Sequence, residues 1–165
     1  MAIVYPARPD VTMTRVAPPG GRAQRQERLS DRRRVGFQTS HDEGDYVVTI
    51  ILHITKRKQW ERAQIIGTYR PDSLDKPGFI HCSTPRQIVA VANIYFHGQR
   101  DLVLLCIEAE RVAAEVRFED LHGGEEYFPH IYGPLNLDAV VKVIDFWPDI
   151  HGSFRMPEEL ADLSV

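Results

Sequence analysis

The chain has 165 residues, 43% of them hydrophobic and 26% charged, the profile of one ordinary globular domain with its own core. No apolar run approaches the roughly 20 residues needed to cross a bilayer, and the N-terminus has neither a continuous apolar core nor a small-residue cleavage site. The net charge of −3 is unevenly spread: residues 1–35 carry eight arginines against three acids, +5, which leaves −8 for the rest, so the globular part is a poor duplex nucleic-acid binder and only the arm could serve as one.

The two cysteines, Cys82 and Cys106, both sit in apolar runs. This reads as reduced, cytoplasmic protein and not as a disulfide framework. Residues 1–44 lack a sustained apolar period. They hold Pro6, Pro9, Pro18, Pro19, Gly20 and Gly21 before the arginine run. Such a segment cannot bury enough surface to offset its ordering entropy, so it is expected to be a disordered basic arm, with one α+β domain over residues 45–165.

Tyr46 to Thr55 is β-branched and aromatic and reads as a buried strand. Lys56 to Ile66 reads as a helix with Trp60, Ala63 and Ile66 on one face and Gly67 as its C-terminal cap. Thr68 to Gly78 is a loop carrying Tyr69 and Ser73. Phe79 to Cys82 is a short strand. In Ser83-Thr84-Pro85-Arg86-Gln87, Thr84 is placed to cap a helix, Pro85 to be its first residue and Gln87 to complete a capping box. Ile88, Val91, Ala92 and Tyr95 line one face of that helix, which stops near Gly98. Asp101 to Glu108 is a central buried strand, and Val116 to Phe118 a weaker one. Gly123-Gly124 makes a turn. Tyr127 to Leu135 holds two prolines and a glycine and cannot be one regular strand. Ala139 to Trp147 is a last long strand, ended by Pro148. Early helices and later strands argue for an α+β fold with a mixed or antiparallel sheet.

Three histidines recur beside hydroxyl residues: His53 near Thr55, His81 near Ser83, and His130 near Tyr132. Strand ends and the loops after them are where scaffolds present functional groups, and imidazole supplies a donor, an acceptor or a proton near neutral pH. The three are expected to share a cleft. A metal site built from His53, His81, Cys82 and His130 is an alternative, but no His-x-x-x-His or Cys-x-x-Cys spacing supports it. His81 and Cys82, adjacent in a strand, point to opposite faces, so Cys82 is expected in the core. Ser83 would be a nucleophile only with a base beside it; otherwise it helps to open the helix. Among Glu119, Asp120, Glu125 and Glu126, Glu119 is the candidate cleft carboxylate.

In order along the chain stand His53-Ile54-Thr55, Trp60, Gly67-x-Tyr69, Gly78-Phe79-Ile80-His81-Cys82-Ser83-Thr84-Pro85 with Gln87, Asp101-Leu102, and Phe128-Pro129-His130-Ile131-Tyr132-Gly133-Pro134-Leu135. From about Ile51 to Pro157 this run resembles the bacterial family called domain of unknown function 952. The resemblance implies an ADP-ribosyltransferase-like fold, with two small sheets around a nicotinamide-dinucleotide cleft. His53 then matches a first-strand histidine that holds the dinucleotide. His81-Cys82-Ser83-Thr84 stands at the second motif. His130 and Tyr132 stand where such enzymes usually carry a glutamate. The implied ligand is NAD, as a substrate, or an ADP-ribose-like nucleotide. His53, His81 and His130 are the candidate catalytic residues. Thr55, Tyr69, Ser73, Ser83, Tyr132 and Glu119 are the candidate binding residues, and no metal is expected. RNA-phosphate removal, another group transfer, a non-catalytic binding or sensor module, and a metal-dependent hydrolase remain as alternatives.

Overall fold

A computed structural model of the protein describes residues 48–163, apart from His122 and Glu125. The arm expected over residues 1–44 lies outside them.

The elements follow the sequence pattern closely. β1 (Ile50–Lys56) runs directly into helix α1 (Arg57–Ile66). The helix ends at Gly67, whose φ of 88° only glycine adopts readily and whose N–H bonds the Ala63 carbonyl. Trp60 and Ala63 are buried as expected, whereas Ile66, 59% exposed, is not part of the buried face. Inside the stretch read as a loop lies a two-residue strand, β2 (Thr68–Tyr69), followed by a single 3-10 turn at Asp72–Leu74. β3 (Ile80–His81) leads to helix α2 (Ile88–Tyr95). Then come β4 (Leu102–Glu108), β5 (Val116–Glu119), β6 (Phe128–Ile131), β7 (Leu135–Asn136) and β8 (Val140–Phe146).

Helix α2 starts three residues later than the sequence suggested, and its capping box is half formed. The Gln87 Oε1 accepts the Thr84 N–H at 3.0 Å, as a capping box requires. The Thr84 hydroxyl, however, donates to that same Oε1 at 3.0 Å and caps no backbone amide. Residues 85–87 form a turn in which the Thr84 carbonyl receives the N–H groups of both Gln87 and Ile88.

Among the described residues every strand pairing is antiparallel, and there are three small sheets where two were expected: β1-β4-β8, β2-β7 and β3-β6-β5. The mixed-sheet option is thus set aside. The short β2 and β7 each hold only two residues, too few for an alternation of apolar and polar side chains to be read in the sequence.

The first sheet has a core on each face. Ile51, Val103, Leu105 and Ile107 meet Trp60, Ala63 and Tyr69 on one side, while Leu52, Ile54, Leu104 and Cys106 meet Ile88, Ala92, Phe146 and Phe154 on the other. Alternation along β1 therefore puts His53 and Thr55 on the α1 side. β4 is the central strand, buried from Leu102 to Ile107 because both of its neighbours and both of its faces are covered. β1 is an edge, and this places the site.

Candidate functional site

A pocket of about 660 Å³ runs along the free edge of β1. Residues from both faces of that strand, Leu52 through Lys56, line it, together with Tyr69, Ser73, His81, Ser83 and the α2 residues Ile88, Val91 and Tyr95. Ser83 does not open a helix. Its backbone forms a two-bond bridge to Leu52, N–H to carbonyl in both directions at 2.8 Å, which fastens the second motif to the edge of β1. Leu52 therefore points its backbone outward, away from β4. In an antiparallel ladder residues two apart face the same way, so the N–H and C=O of Ile54 also point outward, into the pocket that Ile54 lines.

The wall of the pocket holds a chain of four polar side chains. His53 Nδ1 lies 2.7 Å from the His81 carbonyl oxygen, and His53 Nε2 lies 2.8 Å from the Tyr69 hydroxyl. The Tyr69 hydroxyl is 2.8 Å from Thr55 Oγ1, which is 2.9 Å from Gln59 Oε1. A carbonyl can only accept, so His53 carries its proton on Nδ1. Burial disfavours the imidazolium and lowers the His53 pKa to about 4, against a smaller raising effect of the bond to His81. The ring is neutral at pH 7. Burial likewise pushes the Tyr69 hydroxyl well above its ordinary value, the bond to Thr55 opposing it. Both His53 nitrogens are thus committed to protein partners. A neutral imidazole with both nitrogens bonded in this way positions Tyr69 and the His81 backbone.

The remaining candidates form a neighbouring cluster. β3 and β6 pair His81 directly opposite His130, and their rings meet edge to face at 5.1 Å. Phe79 packs against both rings, at 4.7 Å from His81 and 4.3 Å from His130, and against Tyr132 at 5.3 Å. On the far side His130 Nδ1 is 3.2 Å from Glu119, the Tyr132 hydroxyl donates to the same carboxylate oxygen, and the Arg117 guanidinium lies 4.4 Å from the Tyr132 ring centre. The Tyr132 hydroxyl, and then His130, hold the Glu119 carboxyl below its usual range. The three histidines are therefore contiguous: His53 reaches His81 through the backbone, and His81 reaches His130 through its ring. They do not all face one cleft, because Glu119, His130 and Tyr132 are not among the pocket's lining residues.

Cys82 is buried, as its position opposite His81 implied, and burial raises its thiol pKa far above the reactive range. Among the described residues no three His, Cys, Asp or Glu side chains are grouped so as to hold a metal ion. No helix among them is long and apolar enough to cross a membrane. Sequence reasoning missed Gln59 and the outward-facing backbone of Ile54. The first is visible only once a helix turn is seen to bring Gln59 beside Thr55. The second follows only from knowing which edge of β1 is unpaired.

Residues 54–143 match the family described as Protein of unknown function (DUF952). The chain belongs to this family. The matched span runs from β1 through β8 and contains most of the pocket wall, the conspicuous exceptions being Leu52 and His53 at its border. Protein CC0527 from Caulobacter crescentus is similar in structure: its crystal structure is 35% identical, with a TM-score of 0.61 over 68% of this chain and 99% of that one. Its solution NMR structure aligns at 33% identity and a TM-score of 0.57, covering 70% of this chain and 97% of that one. No curated protein matches the chain.

Proposed function

We propose that the pocket along β1 binds NAD or an ADP-ribose-like nucleotide, in a small domain whose sheets surround the cleft as in ADP-ribosyltransferases. The observation that carries this reading is the Ile54 backbone. One residue at an open strand edge offers an N–H and a C=O side by side, inside the pocket. A primary carboxamide such as that of nicotinamide carries the complementary acceptor and donor on a single carbon, so it satisfies both backbone groups at once. The cavity volume lies within the range of small-molecule sites. His53, with both nitrogens bonded internally, fixes the strand edge and Tyr69. His81 also lines the pocket, and it is the candidate to move a proton during turnover. His130, Glu119 and Tyr132 support His81 from behind.

A ligand that binds only the folded protein raises its melting temperature. NAD, ADP-ribose and nicotinamide should each raise it, NAD the most, whereas free phosphate should not. A protein that none of the three stabilises would end this reading. His81→Ala separates transfer from binding. An enzyme loses hydrolysis or transfer of NAD while still binding it. In a non-catalytic sensor, the second reading, wild-type protein binds NAD and consumes none.

A further inference from the structure

The chain of four polar side chains in the pocket wall has an internal logic that fixes more than the state of His53. Three oxygen-bearing groups follow the ring in series, with contacts of 2.8, 2.8 and 2.9 Å. Each contact needs one proton between its two heavy atoms. Because Nδ1 donates to the His81 carbonyl, Nε2 of a neutral ring can only accept. The Tyr69 proton must then lie on the His53 side, and Tyr69 Oη is left to accept from Thr55. The Thr55 proton is in turn committed to Tyr69, so Thr55 Oγ1 can only accept from Gln59. That requires the NH2 of the amide where the structure sets Oε1; the two atoms are interchanged by a half-turn about the last side-chain bond, and the proton order, not the atom position, decides between them. The opposite order has Tyr69 donating to Thr55 and Thr55 to Gln59. It places a donor at Nε2 as well as Nδ1, and so holds only with an imidazolium.

We propose that Gln59 is a specificity-determining residue of the pocket, presenting its carbonyl oxygen to the ligand because the proton order running out from His53 turns its NH2 inward. Gln59 lines the pocket at the exposed end of the array. It therefore selects a ligand group that donates a hydrogen bond, a hydroxyl or an amine, over one that only accepts. The selection is set at His53, from which Gln59 is separated by Tyr69 and Thr55. The groups facing the array are His81 from β3, the buried thiol of Cys82, Lys56 from β1 and Asp72 from the turn after β2. None of these carboxylates or amines is bonded to His53, Tyr69 or Thr55. The ligand side of this inference rests on the nucleotide reading above, whereas the proton order does not.

Nitrogen-15 NMR of the full chain at pH 7 tests the proton order without any ligand. The His53 ring should show a protonated Nδ1 and an unprotonated Nε2. The Gln59 side-chain amide resonances should move in Tyr69→Phe, which cuts the array two links away from Gln59, and also in Thr55→Val, which cuts it next to Gln59. Either variant suffices if the other fails to fold. A ring protonated on Nε2 at pH 7, or a Gln59 amide indifferent to Tyr69→Phe in a folded protein, overturns the proposal. With NAD as the probe, Gln59→Leu should weaken binding about tenfold, the value of one well-made hydrogen bond. Unchanged NAD affinity in Gln59→Leu overturns the ligand side. If wild-type protein binds no NAD, the nucleotide reading falls, and the resonances still decide the proton order.

Discussion

Two histidines a few ångströms from the same strand sit in opposite electrostatic surroundings. His53 is bonded to a carbonyl and a phenol, with no carboxylate in contact. His130 is bonded to Glu119, in a cluster that also holds Arg117 and opens to solvent along β5. In the first region charge has been excluded and polarity is handed from hydroxyl to hydroxyl. In the second a carboxylate is kept ionised by its hydrogen-bond donors. A histidine's residue type says little about its task; its partners say most of it. Folded stability should therefore respond to the first region through desolvation and to the second through weak, screened interactions.

The largest effect should be on pH dependence. The folded-state pKa of His53, about 4, lies below its ordinary 6.5. Between those values the unfolded chain binds a proton that the folded chain refuses, so this contribution is intact above pH 6.5, falls as pH drops and is fully lost below about 4. The shift corresponds to at most about 3 kcal/mol, less to the extent that pocket water reaches the ring. Urea unfolding of wild type and His53→Gln at pH 7, 5.5 and 4 isolates it, because the remaining carboxylate titrations are common to both. Glu119 acts with the same sign in a lower pH window. Its depressed pKa helps only above the unfolded carboxylate value and is lost further down, as pH falls through the folded one. If the wild-type curve is flat from pH 6.5 to 5, His53 is not desolvated.

At constant pH 7, His53→Ala should cost about 2 kcal/mol, since the His81 carbonyl and the Tyr69 hydroxyl each lose a partner, and each such loss costs roughly 1–3 kcal/mol when water cannot fully replace it. The sequence offers His53 as a residue that holds ligand. The structure spends both of its nitrogens on the fold.

The same deletion in each region sharpens the contrast. Tyr69→Phe should cost about 1.5 kcal/mol, because the lost hydroxyl lies in a residue only 2% exposed and leaves Nε2 and Thr55 unpaired. Tyr132→Phe should cost about 0.5 kcal/mol or less, since Glu119 turns to water. Equal costs in denaturant melts would mean that the two regions differ less than their burial implies.

What could be read from the sequence follows from how far apart the interacting residues are. Helix α1, its Gly67 stop and the central strand β4 rest on periodicity and composition within ten residues, and they are legible. The identity of the candidate residues is legible too, because His53, Thr55, Tyr69, His81 and Ser83 belong to ordered motifs and all line the pocket. Their division into two settings is not legible. It depends on which strand is an edge and on the pairing of His81 with His130, 49 positions on, and neither is marked by any local pattern. Gln59 was invisible for the same reason: alone on a helix it is an ordinary surface residue.

The smallest effect concerns the residue that ties the two regions together. The turn before α2 carries the most explicit capping signature in the sequence, and from it Thr84→Ala would be expected to cost about 1 kcal/mol, the usual size of an N-cap loss. The geometry divides that role differently. The Thr84 hydroxyl caps no amide and only adds a second donor to Gln87 Oε1, which already accepts the Thr84 N–H. Gln87 also reaches the other way: its Nε2 donates to the Tyr127 carbonyl at 3.0 Å, next to the strand that carries His130. Gln87→Ala therefore removes the partner of a backbone N–H and the link to β6, and it should cost about 1 kcal/mol. Thr84→Ala should cost less than about 0.5 kcal/mol, since the N–H bond to Gln87 survives it. The order of the two variants in a denaturant titration is the measurement that matters. If Thr84→Ala is the more damaging, the hydroxyl caps the helix after all, and α2 begins at Pro85 in solution.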